Sequence, residues 1–254
     1  MIRILAVGNS FSQDALAYLT GIAESGGTEI ETGNLFIGGC ALRAHWNNAK
    51  EDLSYYDYEI NGKSTGQFLS LNRALQLNDW DIVTFQQASG ESGDPETYRP
   101  YLQNLSDYVR ERAPEAKQAL HQTWAYEIGC ESEGFRRYHN DQAVMYAALS
   151  EAYDRAAAVC GLPLIPVGRV IQRLRKEQPF AVEQGGLSLC RDGFHLQIPY
   201  GRYAAAMTWY GVLLGGNVSD NAAIPEPGAD RTLLELIRRT ITRVLEGEKD
   251  DGTF

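Results

Sequence analysis

A serine hydroxyl becomes a nucleophile only where a base can take its proton and where the developing negative charge is stabilised. Ser10 stands in Gly8-Asn9-Ser10, directly after the apolar run Ile4-Leu5-Ala6-Val7 and before Phe11-Ser12. A buried strand that enters a small-residue turn, and then a helix expected to begin near Gln13-Asp14, leaves Ser10 at the strand's C-terminal edge with helix N–H groups behind it. Taken alone, the same residues also suit a strand-to-helix turn with a hydroxyl N-cap. The available bases bear on the choice. Of the four histidines, His45, His121, His139 and His195, the last follows Asp192 by three residues. On one short loop Asp-x-x-His can set a carboxylate against the imidazole Nδ1–H, fixing the tautomer and leaving Nε2 free toward the serine. The chemistry this pattern allows is nucleophilic catalysis by Ser10 with His195 as its base and Asp192 orienting the imidazole; Asp192 as the cap of the following turn and His195 as a packed residue fit the same spacing.

Such residues need a frame that brings the two ends of the chain together. Strand and helix patterns alternate along most of the sequence, predicting a single parallel sheet covered on both faces. Strands are expected over 2–8, 28–37, 80–87, 116–124 and 162–167, which makes five. Helical spacing falls over 15–25, 44–53, 69–77, 98–112, 141–160, 168–176, 199–214 and 231–245. Residues 55–66, rich in Tyr, Asn and Gly, read as an irregular or hairpin insertion whose tyrosines either line a pocket wall or cover the sheet edge. Residues 125–138 read as a long polar loop of the kind that carries specificity. The insertions at 45–68 and 125–140 are thus expected near the site, within one domain spanning residues 1–254. Ligands of such sheets bind at the C-terminal strand edge, where Ser10, Gly39, Gln86, Gln87 and His121 all fall. Asp14 and the loop holding Glu91 read as solvated or capping, and the acidic C-terminal tail as frayed.

Composition narrows the partners. A formal charge of −10, with no basic stripe beyond the short segment Arg173 to Lys176, argues against nucleic acid. The four cysteines lack C-x-x-C pairs and zinc spacing and read as reduced thiols. No stretch approaches the length of a membrane span and no signal segment is visible, so a cytoplasmic protein is expected as the chain stands, or a secreted or periplasmic one if a leader was removed. No dinucleotide, Walker or zinc-protease motif occurs, and neither a cofactor nor a metal is expected. Arg43, His45, Trp46, His121 and Trp124, combining aromatic faces with polar tips, are the expected pocket rim, a lining that suits a sugar ring, while a Trp near a strand end suits the core equally.

In combination these features resemble the SGNH or GDSL-like hydrolases. That family has a serine after the first strand, a glycine after the second, an asparagine after the third and a late Asp-x-x-His. Gly8-Asn9-Ser10, Gly39 and Asp192-Gly193-Phe194-His195 match three of these blocks in order. The resemblance is closest to a bacterial branch with carbohydrate esterases as its relatives of known chemistry. It implies a three-layer α/β/α, flavodoxin-like fold with a five-stranded, mainly parallel sheet, and hydrolysis of small acyl esters, acetyl above all, on a carbohydrate. It further implies an oxyanion hole from the N–H groups of Ser10 and Gly39, completed by a side-chain amide. Two departures stand out. Asn9 replaces the family's Asp, and Gln86-Gln87 stand where Asn belongs, Gln87 being the expected donor and Gln86 the alternate. An acyltransferase on the same scaffold, or a non-catalytic module holding an anion at the Gly8 to Ser12 turn, are the competing readings.

Overall fold

Ile4 to Val7 are at most 1% exposed, and a strand buried on both faces must lie in the middle of a covered sheet. The computed structural model, which describes residues 1–247, puts it there. Strand β1 (Ile2–Gly8) pairs in parallel with β2 (Ile30–Phe36) on one side and with β5 (Ile82–Phe85) on the other. β5 continues to β6 (Lys117–His121), and β6 to the two-residue β7 (Leu164–Ile165), all parallel. The insertion after β2 adds β3 (Tyr56–Ile60) and β4 (Lys63–Leu69), an antiparallel hairpin on the β2 edge. The sheet therefore has seven strands in the order β4-β3-β2-β1-β5-β6-β7, five parallel as expected and two more from the hairpin. Its tight turn is Asn61-Gly62, both at positive φ (48° and 73°), the backbone a two-residue hairpin loop requires. Tyr56 and Tyr58 are buried within the hairpin, so these rings build the sheet's flank.

Two groups of helices cover the faces. One comprises α1 (Ser10–Leu16), α2 (Leu19–Ser25), α8 (Val167–Arg175), α9 (Tyr200–Leu214) and α10 (Arg231–Leu245). The other comprises α3 (Leu42–Lys50), α4 (Leu71–Leu75), α5 (Tyr101–Arg112) and α7 (Gln142–Cys160), with the one-turn α6 (Glu133–Arg136) lying in the loop before α7. This is the three-layer α/β/α arrangement. α9 is buried almost all round, from Tyr203 to Tyr210, because α1, α2, α8 and α10 all pack on it. Each such large apolar side chain contributes about 1.5–3 kcal/mol when buried, which fixes α9 and with it the loop that precedes it.

The first helix departs from expectation at both ends. It begins at Ser10 rather than near Gln13, because Asn9 is the N-cap and its side chain accepts from Phe11 N at 3.0 Å. It also breaks after Leu16 instead of running through to Ser25, and Tyr18, at the break, donates its hydroxyl to Glu226 at 2.6 Å. The acidic tail, residues 248–254, lies outside the described residues. Among the described residues no helix is long and apolar enough to cross a membrane.

Candidate active site

Capping by Asn9 has a direct chemical consequence, since it leaves the Ser10 hydroxyl free for another partner. Asn9 is 2% exposed and spends its whole amide on the turn. Its Oδ1 accepts from Phe11 N and from Gln86 Nε2 (2.6 Å), and its Nδ2 donates to the Cys40 carbonyl (3.1 Å). The turn is thereby tied to the strand ends on both sides of β1. Ser12 Oγ, 2.7 Å from the Asn9 carbonyl and 2.8 Å from Asn34 Oδ1, fixes it from below.

The candidate base, His195, lies on residues 191–196, just ahead of α9. His195 Nε2 lies 2.8 Å from Ser10 Oγ, and its Nδ1 lies 2.7 Å from Asp192 Oδ2. The other Asp192 oxygen accepts from the backbone N–H of His195 (2.8 Å) and of Phe194 (3.2 Å). Burial alone would raise the Asp192 carboxyl, but these hydrogen bonds from His195 and Phe194 outweigh it and hold the group below the usual carboxylate range. An ionised Asp192 keeps a proton on Nδ1, so Nε2 faces the serine as an acceptor. Gly193, at φ +88°, makes so tight a loop possible, and its missing side chain lets Cys130 pack where a Cβ would stand 2.9 Å from Sγ. Trp124 Nε1 donates to the Phe194 carbonyl at 2.7 Å, and Glu127 N donates to that of Gly193 at 2.7 Å.

Charge on a substrate oxygen needs donors. Gly39, at φ +63° in the turn after β2, and Ser10, first residue of α1, line the same cleft. Among the described residues neither N–H has a partner within the chain. The glutamines are otherwise engaged. Gln87, expected to complete the hole, is fully buried; its Oε1 accepts from Leu42 N (2.9 Å) and Ala88 N (2.8 Å), while its Nε2 donates to Thr97 O and Oγ1 (both 3.0 Å). It staples the loop after β5 to the start of α3. The alternate, Gln86, bridges Asn9 and His121, is 1% exposed and is not among the residues that line the cleft. The β5 ladder ends at Phe85, so strand alternation does not reach either amide.

The expected rim is corrected as a whole, for none of its five residues lines the cleft. His45 and His121 are fully buried, the first against Tyr56 Oη (Nδ1, 2.9 Å) and the second against Gln86 Oε1 (Nδ1, 2.9 Å), and burial pushes both imidazoles down to about 3. Trp124 is buried too, stacked on Phe11 at 4.1 Å. Trp46 packs edge-on to Tyr108, and Arg43 is exposed on α3. Asp14, expected to be solvated or capping, is completely buried and accepts from Arg191, Arg202 and Leu196 N.

The walls come from elsewhere. A cleft of about 920 Å³ opens over Ser10, His195 and Gly39, bounded by Phe36, Phe194 and Tyr126, with Ser89, Arg136 and Arg137 at hand. Ser89 Oγ lies 2.8 Å from Tyr126 Oη. Tyr126, Glu133 and both arginines belong to the loop read as specificity-bearing, and Glu91 faces the same space from the β5 loop. Among the described residues no cluster of three or more His, Cys, Asp or Glu is arranged to hold a metal ion.

Comparison with known proteins follows the geometry. The family model described as a domain of unknown function, DUF4886, matches residues 3–237. A crystal structure of a DUF4886 family protein from Bacteroides uniformis is 35% identical, superposes with a TM-score of 0.90, and the alignment covers 98% of this chain and 96% of that one. A candidate SGNH hydrolase from Slackia heliotrinireducens gives 0.58 at 23% identity, over 84% and 98% of the two chains. A variant of Axe2, an acetyl-xylooligosaccharide esterase from Geobacillus stearothermophilus, gives 0.50 at 14% identity, over 85% and 93%. The fold is that of the SGNH and GDSL-like hydrolases. No curated protein matches the chain.

Proposed function

The chain belongs to the DUF4886 family, and from its site we propose that it is a serine esterase that hydrolyses small acyl esters, acetyl above all, on a carbohydrate through an acyl-enzyme on Ser10. The observation that carries the reading is the unbroken line Asp192 Oδ2, His195 Nδ1 and Nε2, Ser10 Oγ, with separations of 2.7 and 2.8 Å. A module that only holds an anion has no use for an oriented neutral base.

In the mechanism, His195 Nε2 takes the Ser10 proton as Oγ bonds to the ester carbonyl carbon. The carbonyl oxygen becomes an oxyanion within reach of the N–H groups of Ser10 and Gly39, each such donor stabilising it by roughly 3–4 kcal/mol. His195 then gives its proton to the departing alkoxide, and the carbon–oxygen bond to the alcohol breaks. Water enters, loses a proton to His195 and attacks the acyl-serine; collapse releases the acid and returns the proton to Ser10. Asp192 offsets the imidazolium charge in both halves. The carbohydrate assignment rests on the cleft, where the rings of Phe36, Tyr126 and Phe194 stand beside hydroxyl, carboxylate and guanidinium groups.

The test is a screen of purified protein on p-nitrophenyl acetate and acetylated oligosaccharides, with acyl length and sugar acceptor varied. Ser10→Ala and His195→Ala should each lower kcat at least ~10³-fold with little change in the unfolding midpoint, and a fluorophosphonate should label Ser10. Full turnover in either variant sinks the assignment. Preferential transfer of the acyl group to an added sugar makes the protein a transferase.

A further inference from the structure

Asp14 has no part in the chemistry above, yet its carboxylate is completely buried and makes contacts to three different residues. Arg191 Nη1 donates to it at 3.0 and 3.1 Å, Arg202 Nε at 2.8 Å, and the backbone N–H of Leu196 at 2.7 Å. Arg191 and Leu196 are the residues flanking Asp192 to His195. The same two ends are drawn together by a backbone bond from Arg191 N to the His195 carbonyl (2.8 Å), by the bridge between Cys190 and Leu196, and by a hydrogen bond from Arg191 Nη1 to the Leu196 carbonyl. Asp14 itself stands one turn beyond Ser10 on α1. A single carboxylate therefore grips both ends of the base-bearing loop from the helix that presents the nucleophile, while Arg202 ties the grip to α9.

We infer that Asp14 is a positioning residue, which sets the distance between His195 and Ser10 without meeting substrate; the inference rests on the esterase reading. A buried ion pair is poor evidence of stability, because well-packed apolar groups often serve as well. A charge with two guanidinium partners and a backbone N–H instead fixes an orientation, which is what a proton-transfer distance demands. Asp14 lies outside the cleft lining, so direct substrate binding does not explain it.

Asp14→Asn and Arg191→Ala test this. Arg191 is about one-third exposed, so its removal provides a second variant if the buried one fails to fold. Each folded variant should lose roughly 10²-fold in kcat with KM for p-nitrophenyl acetate nearly unchanged, and fluorophosphonate labelling of Ser10 should slow in proportion. Arg191→Lys, which keeps the charge, should recover part of the loss. Wild-type kcat in both folded variants overturns the inference while leaving the esterase reading intact, provided Ser10→Ala is inactive. If the wild type shows no turnover or labelling, the esterase reading fails, and a second readout still judges the positioning role. The low-field proton resonance of the His195–Asp192 hydrogen bond should be present in the wild type and broadened away in both variants, and its persistence in them overturns the inference.

Discussion

At the scale of single residues, burial separates groups that touch a ligand from groups that hold others in place. Gly39 and Gln87 were both expected at the oxyanion, and the structure gives them opposite surroundings. Gly39→Ala meets no steric block, but it forces a side chain into the left-handed region at a residue that lines the cleft. It should cost kcat about tenfold or more with a small loss of stability. Gln87→Ala removes four hydrogen bonds, a buried one from Leu42 N and part-buried ones from Ala88 N and to Thr97 O and Oγ1. It should lower unfolding free energy by about 2–4 kcal/mol while kcat per folded molecule stays near wild type. Steady-state kinetics beside urea unfolding separates the two; a Gln87→Ala enzyme that is stable but inactive returns the amide to the oxyanion. The meeting of Ser10, Asp192 and His195 could be expected from the sequence, although Ser10 and His195 are 185 residues apart, because Gly-Asn-Ser after a strand and Asp-x-x-His are short local patterns. Asp14 could not, because no local pattern marks it or its partners Arg191 and Arg202, 177 and 188 residues away.

At the scale of elements, the β-α alternation made five strands and most helices readable, and α10 begins and ends where its apolar stripe does. The hairpin was marked by Asn61-Gly62 between alternating residues, a stronger signal than the surrounding Tyr, Asn and Gly content suggested. The rim was lost for a different reason. His121 ends a strand at the ligand edge of the sheet, as its pattern predicts, yet Trp209 of α9 packs edge-on against it at 5.0 Å and seals it away. A period of two or of 3.6 tells which residues share a face and says nothing of what later covers that face. The loop joining β6 to α7 supplies the wall instead. Replacing Arg136 and Arg137 together by Ala should therefore change KM for acetylated oligosaccharides severalfold and leave kcat on p-nitrophenyl acetate unchanged. Equal loss on both substrates would remove this loop from substrate recognition.

For the molecule as a whole, the buried histidines set the response to acid. His45 and His121 sit near 3, against an ordinary value of 6.5, so between those limits the unfolded chain binds protons that the folded chain refuses. Stability then rises with pH through this window, and acidification removes about 1.4 kcal/mol per pH unit for each histidine. Asp192 acts in the same direction lower down, its contribution being lost as pH falls through its depressed value. Urea unfolding followed from pH 7 to pH 5 should show the slope, and His121→Asn, which keeps an N–H for Gln86, should reduce it by one proton. An unchanged slope would refute the assignment of His121 as a buried neutral group.

The hydroxyl at Ser10 and the imidazole hydrogen-bonded to it are separated by 185 residues of chain. At roughly 5–20 residues per second, a ribosome would finish the nucleophile turn about ten to forty seconds before it reaches the base. Throughout that interval the growing polypeptide holds Ser10 without His195. On the esterase reading, the hydroxyl would gain its base only once residues 191–196 lie against α1, so nascent or truncated chains that end before His195 should not be labelled by a fluorophosphonate.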